Sequence, residues 1–219
     1  MTAFPSLAPP EPYGAIIFDC DGTLADTMPT HYRAWTAALR ALGADFNEKQ
    51  FYAMGGMPSV AIIQALNDQY GYTLDVDATH DDKERRYLDL MHQVTEIKAV
   101  ADIARANHGR VPIAVASGGA RYIVEATLEA VGLRHLFEVL VTADDVTNGK
   151  PDPEVFLKAA EQLGVAPADC IVYEDGDVGL EAARRAGMRS VDVRVLWNGH
   201  PSEEAQRLAA EAAGQRRAG

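Results

Sequence analysis

The sequence predicts an α/β protein, a core of parallel strands flanked by helices with an all-helical segment inserted after the first strand. Three observations predict it. The short apolar run Ala15–Phe18 has the character of a buried strand. Residues 28–93 carry apolar side chains at helical spacing. From Ile97 onward, short apolar runs alternate with helical stretches that stop at glycines, which argues for a parallel sheet with helices on both faces.

The elements follow in order. Residues 1–12 contain four prolines, with neither a basic start nor a long apolar stretch, so they read as a flexible tail and not a signal peptide. After the first strand, residues 30–42 place Tyr32, Trp35, Ala38, Leu39 and Leu42 on a helical stripe that Gly43 ends. Residues 58–70 place Val60, Ile63, Leu66 and Tyr70 likewise, with Gly71 as the stop. A third helix is expected over 81–94, charged early and carrying Tyr87, Leu88 and Met91. Gly55-Gly56 between the first two reads as a hinge or tight turn. Segment 28–93 is thus expected as a helical cap, on a core of 13–27 and 94–219. Strands are expected at 111–116, 139–142, 170–173 and 190–193, and helices at 121–131, 153–163 and 178–186. A polar helix and tail are expected after Pro201.

A chain of 219 residues suits one large domain, or a core with a small insertion. With 47% hydrophobic and 24% charged residues it has the composition of a soluble globular protein. A net charge of -12 argues against nucleic acid or an anionic membrane as partner. It does not argue against small anions, because a metal ion and a lysine can invert a local field. No stretch reaches the roughly 18 apolar residues that span a bilayer. Cys20 and Cys170 are too few for a disulfide framework and read as reduced core thiols, in keeping with a cytoplasmic protein.

Four short segments end strands or follow them closely: Asp19-Cys20-Asp21-Gly22-Thr23, Ser117-Gly118-Gly119, Lys150-Pro151-Asp152-Pro153 and Glu174-Asp175-Gly176-Asp177. In a parallel sheet the strand C-termini share one edge, where ligands bind, so these segments are expected to converge. Two acids placed so close together cost free energy unless a cation or proton compensates, and Mg²⁺ is the expected cation. Carboxylates, a hydroxyl on a glycine-rich loop and an ammonium form a set suited to holding Mg²⁺ and a phosphate together. Taken singly, Ser117-Gly118-Gly119 is an ordinary turn, Lys150 a surface lysine and Glu174-Asp175 a solvated acidic loop; Asp177 can be a helix N-cap. Their order and common position after strands carry the functional reading. Other motifs fail: the acidic loop lacks the calcium-loop spacing, and neither a G-x-x-x-x-G-K-[ST] loop nor a paired-histidine zinc spacing is present.

Across 13–194, and most specifically in Asp19-x-Asp21-Gly22-Thr23-Leu24-x-Asp26-Thr27, the chain resembles the haloacid dehalogenase superfamily, in the capped subgroup that contains β-phosphoglucomutase. The resemblance implies a Rossmann-like parallel core with an inserted helical cap, and a Mg²⁺-dependent phosphatase acting through an aspartyl-phosphate. It implies Asp19 as nucleophile and Asp21 as acid and then base. It implies Asp19, Asp175 and the Asp21 main-chain oxygen as metal ligands, with Glu174 a direct or water-mediated one. Ser117 and the Gly118 amide are then expected on phosphate oxygens, Lys150 on the phosphoryl group and Asp19, and Thr23 in support of the loop.

The same resemblance extends to sugar-phosphate phosphatases acting on fructose 1-phosphate and 6-phosphogluconate, and implies a small phosphorylated substrate and a monomer. Mutases of the superfamily grip a second phosphate with cap cations, but the matching stretch here, Met54-Gly55-Gly56-Met57-Pro58-Ser59-Val60, has none, so a phosphatase is preferred over a β-phosphoglucomutase. A phospho-accepting regulatory module is a further alternative. It would lack the inserted helices. His31 is expected either to reach the substrate when the cap closes or to be a partly exposed helix histidine, and Arg121 to be a helix-surface arginine, with contact to a distal anionic or hydroxyl group of the substrate as the alternative.

Overall fold

The computed structural model describes residues 7–55 and 57–196. The parallel sheet is built from β1 (Ala15–Phe18), β4 (Ile113–Ala116), β5 (Val139–Val141), β6 (Cys170–Glu174) and β7 (Arg189–Asp192), in the order β5-β4-β1-β6-β7. Central β1 pairs in parallel with β4 on one side and β6 on the other. Alternation along each inner strand divides the core in two. Ile16, Phe18, Ile113, Val115, Ile171 and Tyr173 point to one face, where α5 (Lys98–Asn107) and α6 (Arg121–Ala130) cover them. Ala15, Ile17, Ala114, Ala116, Cys170 and Val172 point to the other, under α7 (Glu154–Leu163) and α8 (Asp177–Arg185). A sheet buried on both faces needs continuous apolar strands, which is why β1, β4 and β6 are legible as runs. Cys20 and Cys170 are free thiols buried in this core, as expected.

Residues 28–93 are helical: α1 (Met28–Ala41), α2 (Glu48–Ala53), α3 (Ser59–Tyr70), α4 (Val76–Asp89) and a short 3₁₀ turn, Met91–Gln93. They have an apolar cluster of their own around Trp35, Leu39, Phe46, Phe51, Ile63 and Leu66. A two-stranded antiparallel ribbon, β2 (Ala25–Asp26) with β3 (Thr95–Glu96), ties the entry and exit of this segment together.

The structure departs from the expected elements in several places, among them helix α5 and the β2–β3 ribbon, neither of which was expected. Helix α4 begins five residues before position 81, because the Asp75 side chain accepts the Ala78 amide at 2.9 Å and caps it there. Helix α2 was not expected; Asn47 and Gln50 form a capping box that lets six residues hold a helix. Asp177 is the first residue of α8 while Gly176 occupies the cap position, and Asp177 accepts a bond from Arg194 instead. Of the expected tail, residues 7–12 lie against the core: Tyr173 donates to the Leu7 carbonyl at 2.6 Å, and Arg189 donates to the Pro10 and Pro12 carbonyls. Residues 1–6, Gly56 of the expected hinge and the expected helix after Pro201 lie outside the described residues. No helix among the described residues is long and apolar enough to cross a membrane.

Candidate active site

The four segments converge at the C-terminal edge of the sheet. Asp19 follows β1 and is buried. Lys150, more than 130 residues away along the chain, donates to Asp19 Oδ1 at 2.6 Å and to Glu174 Oε2 at 2.7 Å. One carboxylate oxygen from each of Asp19, Glu174 and Asp175 lies within 4.8 Å of the others. Among the described residues, three acids, two of them buried and Asp175 half-buried, thus share one ammonium. Burial, followed by repulsion from Glu174, pushes the Asp19 carboxyl well above the ordinary range, and Lys150 only partly offsets this. Asp175 is raised for the same reasons, burial first and then Glu174 and Asp19. Burial alone would lower Lys150, but its two acidic partners outweigh that and hold it charged.

Each carboxylate is held differently. Glu174 is saturated: the amides of Asp175 and Gly176 donate to Oε1 at 3.1 and 2.9 Å, and Lys150 occupies Oε2. Its side chain fits only because position 179 is glycine, where a Cβ would lie 2.0 Å from Oε2. Asp175 accepts the Thr23 hydroxyl on Oδ1 at 3.0 Å, so Thr23 fixes a carboxylate of the opposite loop. Gly22, at φ 77°, passes so close to Asp175 that a Cβ would sit 2.3 Å from Oδ2. The hard oxygen donors of Asp19 and Asp175, with an excess of buried negative charge, are a set that suits Mg²⁺.

Ser117 is buried after β4, and its Oγ accepts the Gly119 amide at 3.1 Å, which fixes the hydroxyl in the loop. A Cβ on Gly119 would lie 3.4 Å from Ser117 Oγ and 3.7 Å from Asp21 Oδ2, so this loop faces the second aspartate. Beside Gly118 the same space is open. Arg121 is held away from the loop by Asp145 at 2.6 Å, as a helix-surface residue.

Asp21 meets the helical segment. Its Oδ1 is 3.3 Å from His31 Nε2 on α1, and His31 Nδ1 is 3.2 Å from Lys83 Nζ on α4. His31 stacks on Tyr87 with ring centroids 3.9 Å apart, and Tyr87 reaches across to Thr127 of α6 at 2.9 Å. Burial acts to raise Asp21, but the His31 contact and the Lys83 charge leave it below the ordinary carboxylate value. His31 is itself lowered, by burial and then by Lys83. The two aspartates of one loop are therefore driven in opposite directions.

The sequence reading had no part for Lys83 and Glu84, since α4 reads as a charged surface helix. The available signal was the four-residue spacing of Thr79, Lys83 and Tyr87, which puts all three on the buried face.

Residues 13–187 match the family described as haloacid dehalogenase-like hydrolase. The chain belongs to the haloacid dehalogenase-like hydrolase family. It is 40% identical over 186 residues to fructose-1-phosphate phosphatase YqaB of Escherichia coli (strain K12), covering 85% of this chain and 99% of that one. It is 31% identical to the validoxylamine A 7'-phosphate phosphatase of Streptomyces hygroscopicus subsp. limoneus, over 77% of this chain and 79% of that one. Among solved structures it superposes on CbbY from Rhodobacter sphaeroides in complex with phosphate with a TM-score of 0.74 and 29% identity, over 81% of this chain and 84% of that one. The parallel core expected from the sequence is the fold that this family member shares.

Proposed function

We propose that the protein is a Mg²⁺-dependent phosphatase for small phosphorylated sugars or sugar acids, such as fructose 1-phosphate or 6-phosphogluconate, working as a cytoplasmic monomer through a phosphorylated Asp19. The observation that carries this reading is the convergence of Asp19, Lys150 and Asp175 at one sheet edge, from three distant parts of the chain. The names of the relatives support it.

With Oδ1 of Asp19 held by Lys150, its other oxygen attacks the phosphorus and the bond to the sugar oxygen breaks. Asp21 gives that oxygen its proton. In the second half a water attacks the phosphorus of the aspartyl-phosphate, Asp21 takes the water's proton, and the Asp19 carboxylate is regenerated as phosphate leaves. Asp21 is a carboxylate in the arrangement described, ready as a base; the negative charge of a phosphate ester beside it raises its pKa and loads it as an acid. Lys150 and the Ser117 hydroxyl, with the Gly118 amide, hold phosphoryl oxygens. Mg²⁺ would be held by Asp19, Asp175 and the Asp21 main-chain oxygen, with Glu174 acting by way of water because its own oxygens are occupied. When bound it neutralises the repulsion between carboxylates and phosphate. The helical segment 28–93 serves as the cap that selects the substrate, and His31 orients Asp21 from it.

A screen of phosphorylated metabolites with and without EDTA tests this. Phosphate release that EDTA abolishes and Mg²⁺ restores is expected, with Asp19→Asn at least about a thousandfold slower. Metal-independent turnover, or none, refutes it. Conversion of β-glucose 1-phosphate to glucose 6-phosphate without phosphate release would instead mark a mutase.

A further inference from the structure

Glu84 on α4 is buried, with 6% of its surface exposed, yet it is only half satisfied. Its Oε1 accepts from Lys83 Nζ at 2.8 Å and from the Ser59 hydroxyl at 3.0 Å. Its Oε2 is shielded from solvent and has no partner among the described residues. A buried carboxylate oxygen without a donor is unfavourable, and a group that brings an O–H to it relieves that cost.

The position of this carboxylate ties it to the reaction. Lys83, which it holds, contacts His31, and His31 contacts Asp21, so two side chains separate Glu84 from the proton-transfer group. Helix α4 meets α6 through Tyr87 and Thr127, and Tyr122, half exposed, lies at the start of α6 just after the Ser117 loop. Tyr122 is raised by burial first and by the charge of Glu84 next, so the field of Glu84 is felt at the start of α6.

We propose that Glu84, with Ser59, is a hydroxyl-binding subsite that selects phosphomonoesters whose far end is an uncharged polyol and rejects those ending in a carboxylate or a second phosphate. The reading rests on the phosphatase activity proposed above. The chemistry is one-sided: a carboxylate accepts from substrate hydroxyls and repels an anion. Two basic groups stand beside Glu84 among the described residues: the Lys83 ammonium, already matched by it at 2.8 Å, and the His80 imidazole, with Nδ1 3.9 Å from Oε1. The stretch that would carry an extra cation presents Met57, Pro58, Ser59 and Val60 instead. Of the substrates proposed above, the site therefore favours fructose 1-phosphate over 6-phosphogluconate.

A matched pair tests it. Glucitol 6-phosphate and 6-phosphogluconate differ only in ending in a hydroxymethyl or a carboxylate. The wild-type enzyme with Mg²⁺ is expected to show a kcat/KM at least about tenfold higher for the hexitol ester, the scale of one like-charge contact. Glu84→Gln, which keeps the shape and removes the charge, is expected to narrow that ratio at least about threefold, chiefly through KM for the acid. If Glu84 serves only as the counter-ion of Lys83, the variant lowers both values together and leaves the ratio unchanged, which overturns the proposal. Equal turnover of the two esters by the wild type overturns it without any variant. A wild-type enzyme that hydrolyses no phosphate ester defeats the phosphatase reading itself, and the subsite with it.

Discussion

Replacing Lys150 with methionine removes the ammonium that sits among the buried carboxylates of Asp19 and Glu174 and the half-buried one of Asp175, while keeping a side chain of similar length over the Phe156 ring, 4.9 Å from Nζ. Two short charge-assisted hydrogen bonds disappear, to partners whose side chains are 8% and 5% exposed. Breaking a buried ion pair by deleting one partner costs about 3–5 kcal/mol, because the remaining charge is left uncompensated. The geometry gives the same scale. Two carboxylate oxygens no more than 4.8 Å apart repel by at least about 3.5 kcal/mol at an effective dielectric constant near 20. Lys150→Met is therefore expected to lose about 3–5 kcal/mol of stability at pH 8 in EDTA.

The loss has a definite pH dependence. Asp19 and Asp175 titrate above their ordinary value of 3.8 in the folded protein, and without Lys150 they titrate higher still. A group whose folded pKa is raised adds stability below its unfolded pKa and loses it as pH rises through the folded one. The variant is thus least impaired near pH 4 and increasingly impaired above it, and protonation at pH 5 is expected to recover more than half of the loss. Urea denaturation followed by circular dichroism, for both proteins at pH 5 and pH 8 with EDTA, measures this. A loss below about 1 kcal/mol at pH 8, or one that is equal at the two pH values, would show that these carboxylates do not share the buried charge described, and the argument for a cation site would fail with it.

Two more substitutions separate the roles in the first loop. Asp21→Asn keeps the main-chain oxygen and the shape but cannot move a proton, so kcat is expected to fall by about 10²–10⁴ while Mg²⁺ affinity from calorimetric titration changes less than about threefold. Comparable losses in both would place the Asp21 side chain on the metal. Gly22→Ala puts a methyl 2.3 Å from Asp175 Oδ2 at a left-handed backbone position. A loss of about 1–3 kcal/mol in thermal unfolding is expected, together with weaker Mg²⁺ binding. Unchanged binding would mean that Asp175 does not need its present position.

The sheet was legible because strands buried on both faces must be apolar throughout, so Ala15–Phe18, Ile113–Ala116 and Cys170–Glu174 stand out as short runs. From those runs the convergence of Asp19, Ser117, Lys150 and Asp175 follows by topology alone, without knowledge of any contact. The helical segment was less legible for an equally physical reason. Lys83 and Glu84 neutralise each other and go inside as a pair, so their charge marks α4 as a surface helix although its inner face is polar. The exchange of roles at Thr23 and Glu174 was hidden too. A hydroxyl that braces a carboxylate 152 positions away, and a carboxylate whose oxygens are used up on two amides and a lysine, are outcomes of side-chain geometry.

That geometry sets two aspartates separated by one residue in opposite environments. Asp19 belongs to the sheet edge, where the loops holding Lys150 and Glu174 surround it and its charge is unwelcome without a cation. Asp21 is turned toward the helical segment, where His31 and Lys83 stabilise its charge. Any movement of α1 or α4 relative to the sheet changes the His31 and Lys83 contacts on the Asp21 side, whereas the hydrogen bond to Asp19 comes from Lys150 of the core. In the proposed mechanism, Asp19 is therefore governed by what binds at the sheet edge, and Asp21 by the position of the helices. In the subsite proposed above, the far end of a substrate on Ser59 and Glu84 acts on the Asp21 side, while its phosphoryl group meets Asp19.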